Sequence, residues 1–396
     1  MENKPNNRIF MDHASTTPVD PRVLEAMTPF FSEKFANPSA IYREGVEAGE
    51  TVRVARLEIA KLLHCRADEI VFTASGTEAD NMAVFGAFRR AQTLRIAKPH
   101  IVTTAIEHPA VLEAVRAVEA DGASATYVPV SEDGLVDPKK MAEALSPETV
   151  LVSVMLANNE IGTVQPVARI ARAVREYKEK LGRGKTDFPY FHVDASQGPN
   201  YLECFADKLA PDLMTLDASK IYGPKGIGLL FVRKGIALEP LIYGGGQERG
   251  LRSGTENVPF IVGFAEALRI AEEEREAEAA RLTELRDRMI EEILKKFPHA
   301  SPNGSRVERL ANNVNICFPG LDAEFAVIQL DQKGIQCSYS SSCRTLAENN
   351  NSYVIEALGK KDCAASSLRF TLGRSTTKED VEKALGAIVD IVAPRM

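Results

Sequence analysis

Thr77, His108, Asn159, Asp194, Gln197 and Lys220 each stand just after a short apolar run of this chain. Apolar runs of that length read as buried strands. In open α/β sheets, ligands bind beyond the carboxyl ends of the strands. The six residues bring an amine, a carboxylate, an imidazole and neutral hydrogen-bonding groups. A Lys amine held near apolar or cationic groups loses its proton readily and can form a Schiff base. Taken singly, each residue has a plainer reading. Lys220 could be solvated beside a hairpin, His108 a loop histidine, Asn159 a turn residue and Asp194 a helix cap. Their coincidence at one edge favours a shared site.

The stretch Asp217-Ala-Ser-Lys-Ile-Tyr-Gly-Pro-Lys-Gly-Ile-Gly228 places Lys220 between two apolar runs, in a turn marked by Gly223, Pro224 and Gly226. Upstream, Ser75-Gly-Thr77 follows a strand-like run and opens a helical one. A strand, a hydroxyl-rich turn and a helix N-terminus form a natural anion cradle. The plainer reading is an ordinary N-cap. Residues 244–256 are Gly-rich and carry Arg249 and Arg252, which suits an anion without matching a P-loop. Cys343 lies in a small, polar stretch, residues 338–352, read as a mobile surface loop. A thiol there is placed to act as a nucleophile. The alternative is an incidental surface cysteine.

The elements that must position these groups alternate. Strands are expected at residues 69–75, 100–105, 125–130, 149–156, 189–193 and 212–216, and helices at 42–64, 82–88, 109–120 and 167–181. Residues 21–31 have helical spacing. Such alternation implies an α/β fold: a mainly parallel sheet between helices. One or two long helices are expected at 259–297. Beyond them come strands at 313–318, 334–338 and 368–372 and helices at 323–332 and 378–392. A large domain over 20–270 and a smaller α+β domain from 1–19 and 271–396, carrying the Cys343 loop, are therefore expected.

Composition narrows the function. A 396-residue chain that is 44% hydrophobic and 26% charged is an ordinary globular protein with room for two domains. A net charge of −7 argues against broad nucleic-acid binding. No apolar run approaches the roughly 18 residues of a membrane span. The polar residues 1–8 lack an export core, so a cytoplasmic location is expected. The six cysteines form no C-x-x-C pair and are expected to be reduced, with no metal site.

With these residues in place, the chain resembles the cysteine desulfurases of the NifS/IscS type, in the class V branch of fold-type I pyridoxal-phosphate enzymes. The resemblance runs nearly end to end. It rests on Met11-Asp-His-Ala-Ser-Thr-Thr-Pro-Val-Asp-Pro21, residues 72–81, Glu107-His108, Asn158-Asn-Glu-Ile-Gly162 and His192-Val-Asp-Ala-Ser-Gln197. It continues through Lys220-Ile-Tyr-Gly-Pro-Lys-Gly-Ile-Gly228, residues 244–255 and Ser367-Leu-Arg-Phe-Thr-Leu-Gly373.

The resemblance implies roles. Lys220 looks like the Schiff-base lysine that also moves protons at the substrate Cα. Asp194 resembles the partner of the pyridinium nitrogen, His108 the imidazole stacked on the ring, and Gln197 and Asn159 the partners of the ring oxygen. Ser75, Gly76, Thr77 and Ser219 fall at the phosphate end. Thr255 resembles a phosphate ligand donated by the other subunit of a homodimer. Arg369, with Asn159, resembles the clamp on the substrate. Cys343 resembles the nucleophile that takes sulfur from L-cysteine as a persulfide, leaving alanine, for delivery to an iron–sulfur scaffold or thiolation carrier. A selenocysteine lyase, an aminotransferase of the same class, or a non-catalytic scaffold derived from one remain as alternatives.

The chain departs from the pattern at Asp217 and Ser219, where the family commonly has Ser and His, and at Tyr42, where a His is frequent. The Cys343 loop is about one residue longer than usual. An Asp beside a phosphate dianion repels it. Either Asp217 points away, or it is neutralised, or cofactor affinity is reduced.

Overall fold

A computed structural model of the chain describes residues 8–339 and 351–395. Seven strands form one sheet, in the spatial order Ile70–Thr73, Gly228–Val232, Leu213–Asp217, Tyr190–Asp194, Thr149–Met155, His100–Thr104 and Ser124–Val128. Gly228–Val232 is antiparallel to both of its neighbours, and the other pairings are parallel. All strands but Gly228–Val232 therefore point the same way and end at a common edge. The sheet carries helices on both faces, as the alternation of strands and helices predicts.

Alternation along the strands divides the core. Val152, Val154, Phe191, Val193, Met214 and Leu216 pack on one face with Val52, Ile59 and Phe264. Leu151, Tyr190, Leu213 and Leu230 face the other way, onto Ala83, Phe88, Val111 and Val115. With both faces covered, the strands read as continuous apolar runs.

A third cluster joins Met11, Leu282, Met289 and Ile293 to Val314, Ile316, Phe370, Val381 and Ile388. It packs around a three-stranded antiparallel sheet of Ser301–Pro302, Asn313–Cys317 and Ser367–Thr371. A single helix, Val258–Lys296, reaches from the large sheet's core into this cluster. At 39 residues it is roughly 58 Å long. No Gly or Pro interrupts it after Gly263, and Arg275–Glu272 and Arg281–Glu278 pairs line its polar middle.

Two local expectations need correction. Residues 21–31 form two helices, Pro21–Met27 and Pro29–Ser32, because Pro29 has no amide hydrogen to continue the first. The cysteines are not all thiols: Cys317 and Cys363 are joined in a disulfide. The end of the Asn313–Cys317 strand and the Lys361–Cys363 turn bring their Cα atoms to 5.3 Å, within bridging reach. Among the described residues, Cys65, Cys204 and Cys337 are free. No helix among them is long and apolar enough to cross a membrane.

Candidate active site

The Leu213–Asp217 strand runs into a short turn, Ala218–Lys220, that leaves Lys220 at the sheet's carboxyl edge. The chain then returns as Gly228–Val232. Gly228 must be glycine, since a Cβ there would lie 2.5 Å from the Ser75 carbonyl carbon. That close approach seats the lysine turn against the start of the Gly76–Thr93 helix. The hydroxyl-rich segment near the N-terminus closes the other side. Lys220 Nζ donates to the Ser15 carbonyl, Thr17 donates to the Ser219 carbonyl at 2.9 Å, and Tyr222 N–H donates to Thr17 Oγ1 at 2.7 Å.

The cradle at the helix start is only partly open. Ser75 is the N-cap, its Oγ accepting from the Glu78 amide at 3.1 Å. The Gly76 amide donates to Asp217 Oδ2 at 2.8 Å. Asp217 Oδ1 accepts from both the amide (2.8 Å) and the hydroxyl (2.6 Å) of Ser219. Asp217 therefore faces the cradle and does not point away from it.

A cavity of about 130 Å³ opens at this edge. Gly76, Thr77, His108 and Asn159 line it, with Asp194, Gln197, Lys220 and Arg369. Ser75 and Ser219 stand behind that wall, their hydroxyls engaged as described. Thr255 lines a separate cavity with Thr73, Gly226 and Arg252. Cys343 lies outside the described residues.

Electrostatics differ sharply around the cavity. His108 caps the Pro109–Ala120 helix, its Nδ1 accepting from the Ala110 amide at 3.2 Å, so the neutral ring carries its proton on Nε2. Burial lowers its pKa and favours that neutral form, against the pull of Asp194. Asp194 Oδ1 accepts from the Ser196 amide at 3.0 Å. Arg369 is almost wholly buried. It pairs with Asp12 at 2.7 Å and donates to the Asn159 carbonyl at 3.1 Å, while its Nε has no hydrogen-bond partner.

Several contributors escaped sequence reasoning. Asp80 lines the cavity, is buried, and has an Oδ1 without a hydrogen bond. Burial pushes its pKa well up, with the neighbouring Asp194 acting in the same direction. Its spacing of three from Thr77, on one helix face, was the available signal. His192, 3.6 Å from Asp80, is pushed down to about 4 by burial and bonds Ser153 and Thr215. Asp12 and the Ala14 and Ser15 backbone belong to a motif that carries the resemblance, but nothing in their local pattern placed them at the strand-end edge.

Glu107, beside His108, makes a testable contribution to stability. Burial pushes its pKa from 4.5 up to about 8, against hydrogen bonds from Thr104 and the Met155 amide. The unfolded chain loses this proton near pH 4.5, whereas the native chain keeps it to about pH 8. The neutral form's stabilising share is thus complete below pH 4.5 and falls as pH rises through that window. The slope is about 1.4 kcal/mol per pH unit, with a total of a few kcal/mol at most. Asp80 acts with the same sign. Urea unfolding between pH 5.5 and 8.5 should show Glu107→Gln with a shallower loss than the unaltered chain. Equal slopes would exclude the buried neutral carboxyl.

Residues 9–384 match the model of the Aminotransferase class-V family. The chain is 41% identical over 385 residues to the cysteine desulfurase IscS of Dictyoglomus turgidum, covering 97% of this chain and 94% of the relative. A NifS-like protein superposes with a TM-score of 0.88 at 36% identity, covering 98% of this chain and 99% of the other. A structure of SspA in complex with cysteine gives 0.78 at 35% identity, over 92% of this chain and 98% of that one.

Proposed function

The chain belongs to the Aminotransferase class-V family, and on that premise we propose that it is a pyridoxal-phosphate-dependent cysteine desulfurase. It converts L-cysteine to L-alanine and takes the sulfur onto Cys343. The observation that carries the reading is the convergence of Lys220, Asp194, His108 and Arg369 on one cavity.

The residues fit the cofactor. Lys220 offers an amine to its aldehyde, Asp194 a carboxylate to its ring nitrogen, and His108 a neutral imidazole to its face. The Ser75–Thr77 start of the helix, with Ser219 behind it, serves the phosphate, although Asp217 already uses one amide. Arg369, on the cavity wall, keeps a buried Nε without a hydrogen-bond partner, which suits a polar guest. When bound, pyridoxal phosphate supplies an electron sink for bonds at the substrate's Cα and Cβ.

The protein's own groups do the rest. Lys220 would hold the cofactor through its amine and move the proton at the substrate Cα. Asp194 keeps the ring nitrogen protonated. Gln197 and Asn159 fix the ring oxygen. Arg369, already oriented by Asp12 and the Asn159 carbonyl, binds the substrate carboxylate through its free edge. The Cys343 thiolate attacks the substrate sulfur, so the Cβ–S bond breaks as the S–S bond forms. Cβ then takes a proton, giving alanine and a persulfide on Cys343. A thiol of an iron–sulfur scaffold or thiolation carrier consumes that persulfide. The protein acts in this reading as a cytoplasmic homodimer, with Thr255 of a second copy completing the phosphate site.

The test is to add L-cysteine and a thiol reductant to the cofactor-loaded protein. Alanine and sulfide should appear in equal amounts without a keto acid. Alanine formed only when a keto acid is supplied would indicate transamination and overturn the reading.

A further inference from the structure

We propose that Asp217 is a resident occupant of the anion seat at the start of the Gly76–Thr93 helix, and that the chain consequently discriminates weakly between pyridoxal phosphate and unphosphorylated pyridoxal. The inference rests on the cofactor reading above and makes Asp217 a specificity-determining residue for the cofactor.

Asp217 is the last residue of its strand and is paired in register with Gly228, so the sheet fixes where its side chain starts. Both carboxylate oxygens are used: Oδ2 takes the Gly76 amide, and Oδ1 takes the amide and hydroxyl of Ser219. The fit against the helix start is close. A Cβ added at Gly76 would stand 3.1 Å from Asp217 Cβ and Oδ2, and 3.3 Å from Ser196 Oγ. The carboxylate thus already engages an amide at the helix start and brings a negative charge with it.

The surroundings do little to offset that charge. Asp80 and Asp194 line the same cavity from the helix and from the neighbouring strand end. His108 is held towards its neutral form, and the charge of Arg369 is largely offset by Asp12. Lys220 is the remaining basic group on the wall, and it is the one that meets the aldehyde. A phosphate brought here meets a like charge and finds one amide taken. At contact distance that weakens binding by roughly tenfold or more.

The experiment strips the full-length protein of cofactor and titrates it separately with pyridoxal phosphate and with pyridoxal, following absorbance. The ratio of the two dissociation constants isolates the phosphate, because the chemistry at Lys220 is common to both. Asp217→Asn removes the charge and keeps the shape. Asp217→Ser restores the residue common in the family. Each should raise the ratio by roughly tenfold or more, with pyridoxal's own affinity little changed. An unchanged or lower ratio in the variants overturns the proposal. So does an unaltered protein that already prefers the phosphorylated form by roughly a thousandfold or more, a result independent of whether either variant folds. If neither compound binds the unaltered protein or the variants, the cofactor reading itself fails and this inference with it.

Discussion

Lys220→Ala should lower turnover of L-cysteine by at least roughly a thousandfold and remove the visible absorption of cofactor held through the lysine. Lys220 stands at the end of a central strand, on the wall of the cavity, with its amine directed to the Ser15 carbonyl. Alanine removes the covalent anchor and the proton carrier together. It also removes the bond to Ser15, so a loosened N-terminal segment would be a competing explanation. Lys220→Arg separates the two. A guanidinium can still donate to Ser15 and keeps the positive charge, but it does not condense with an aldehyde under these conditions. Both variants should therefore lose activity, and borohydride should fix cofactor to neither, while thermal stability drops only in the alanine form. A variant that keeps the absorption band, or turns over within tenfold of the unaltered protein, would remove Lys220 from its role.

How far the sequence anticipated this site follows from how each residue gets there. Thr77, His108, Asn159, Asp194, Gln197 and Lys220 could be gathered on paper because each follows a strand and parallel strands end together. That inference needs only local pattern and one rule of topology. Asp12 and Ser15 could not be gathered in this way. They arrive from the other end of the chain through packing: Asp12 reaches Arg369 across 357 positions, and Ser15 reaches Lys220 across 205. Asp80 was missed for a different reason. Its helical spacing from Thr77 was visible, but an acidic residue on a helix normally faces solvent, and only the fold reveals that this one is buried against His192. The Cys317–Cys363 bridge escaped because the two residues stand 46 apart and are brought together by a strand and a turn of the smaller sheet's surroundings. Asp217 falls between these cases. Its departure from the family pattern was legible, and its direction became so only once the Gly76 amide was placed beside it.

The second large effect is expected at Cys343. Cys343→Ser should retain the cofactor and its absorption, and still respond spectrally to L-cysteine, yet lose alanine and sulfide production by roughly a thousandfold or more. The residue lies outside the described part of the chain, but the segments on either side of it are tied to the cavity wall. Ser338 exchanges backbone hydrogen bonds with Arg369, at 3.0 and 2.7 Å. After the loop, Ser352 donates to Glu160 at 2.6 Å, and the Tyr353 hydroxyl donates to the Glu107 carbonyl. Cys343 follows Ser338 by five residues in the sequence. A hydroxyl is nearly isosteric with a thiol but stays protonated at neutral pH and is a poor nucleophile toward sulfur. The free thiols cannot substitute. Cys204 is buried and Cys65 and Cys337 are half-buried, and desolvation pushes all three pKa values up, those of Cys204 and Cys65 to about 12. A nucleophile with a thiolate available at neutral pH must therefore come from elsewhere. If Cys343→Ser turned over normally, the sulfur would have to leave without an acceptor thiol in this loop, and the link between cavity and persulfide would be broken.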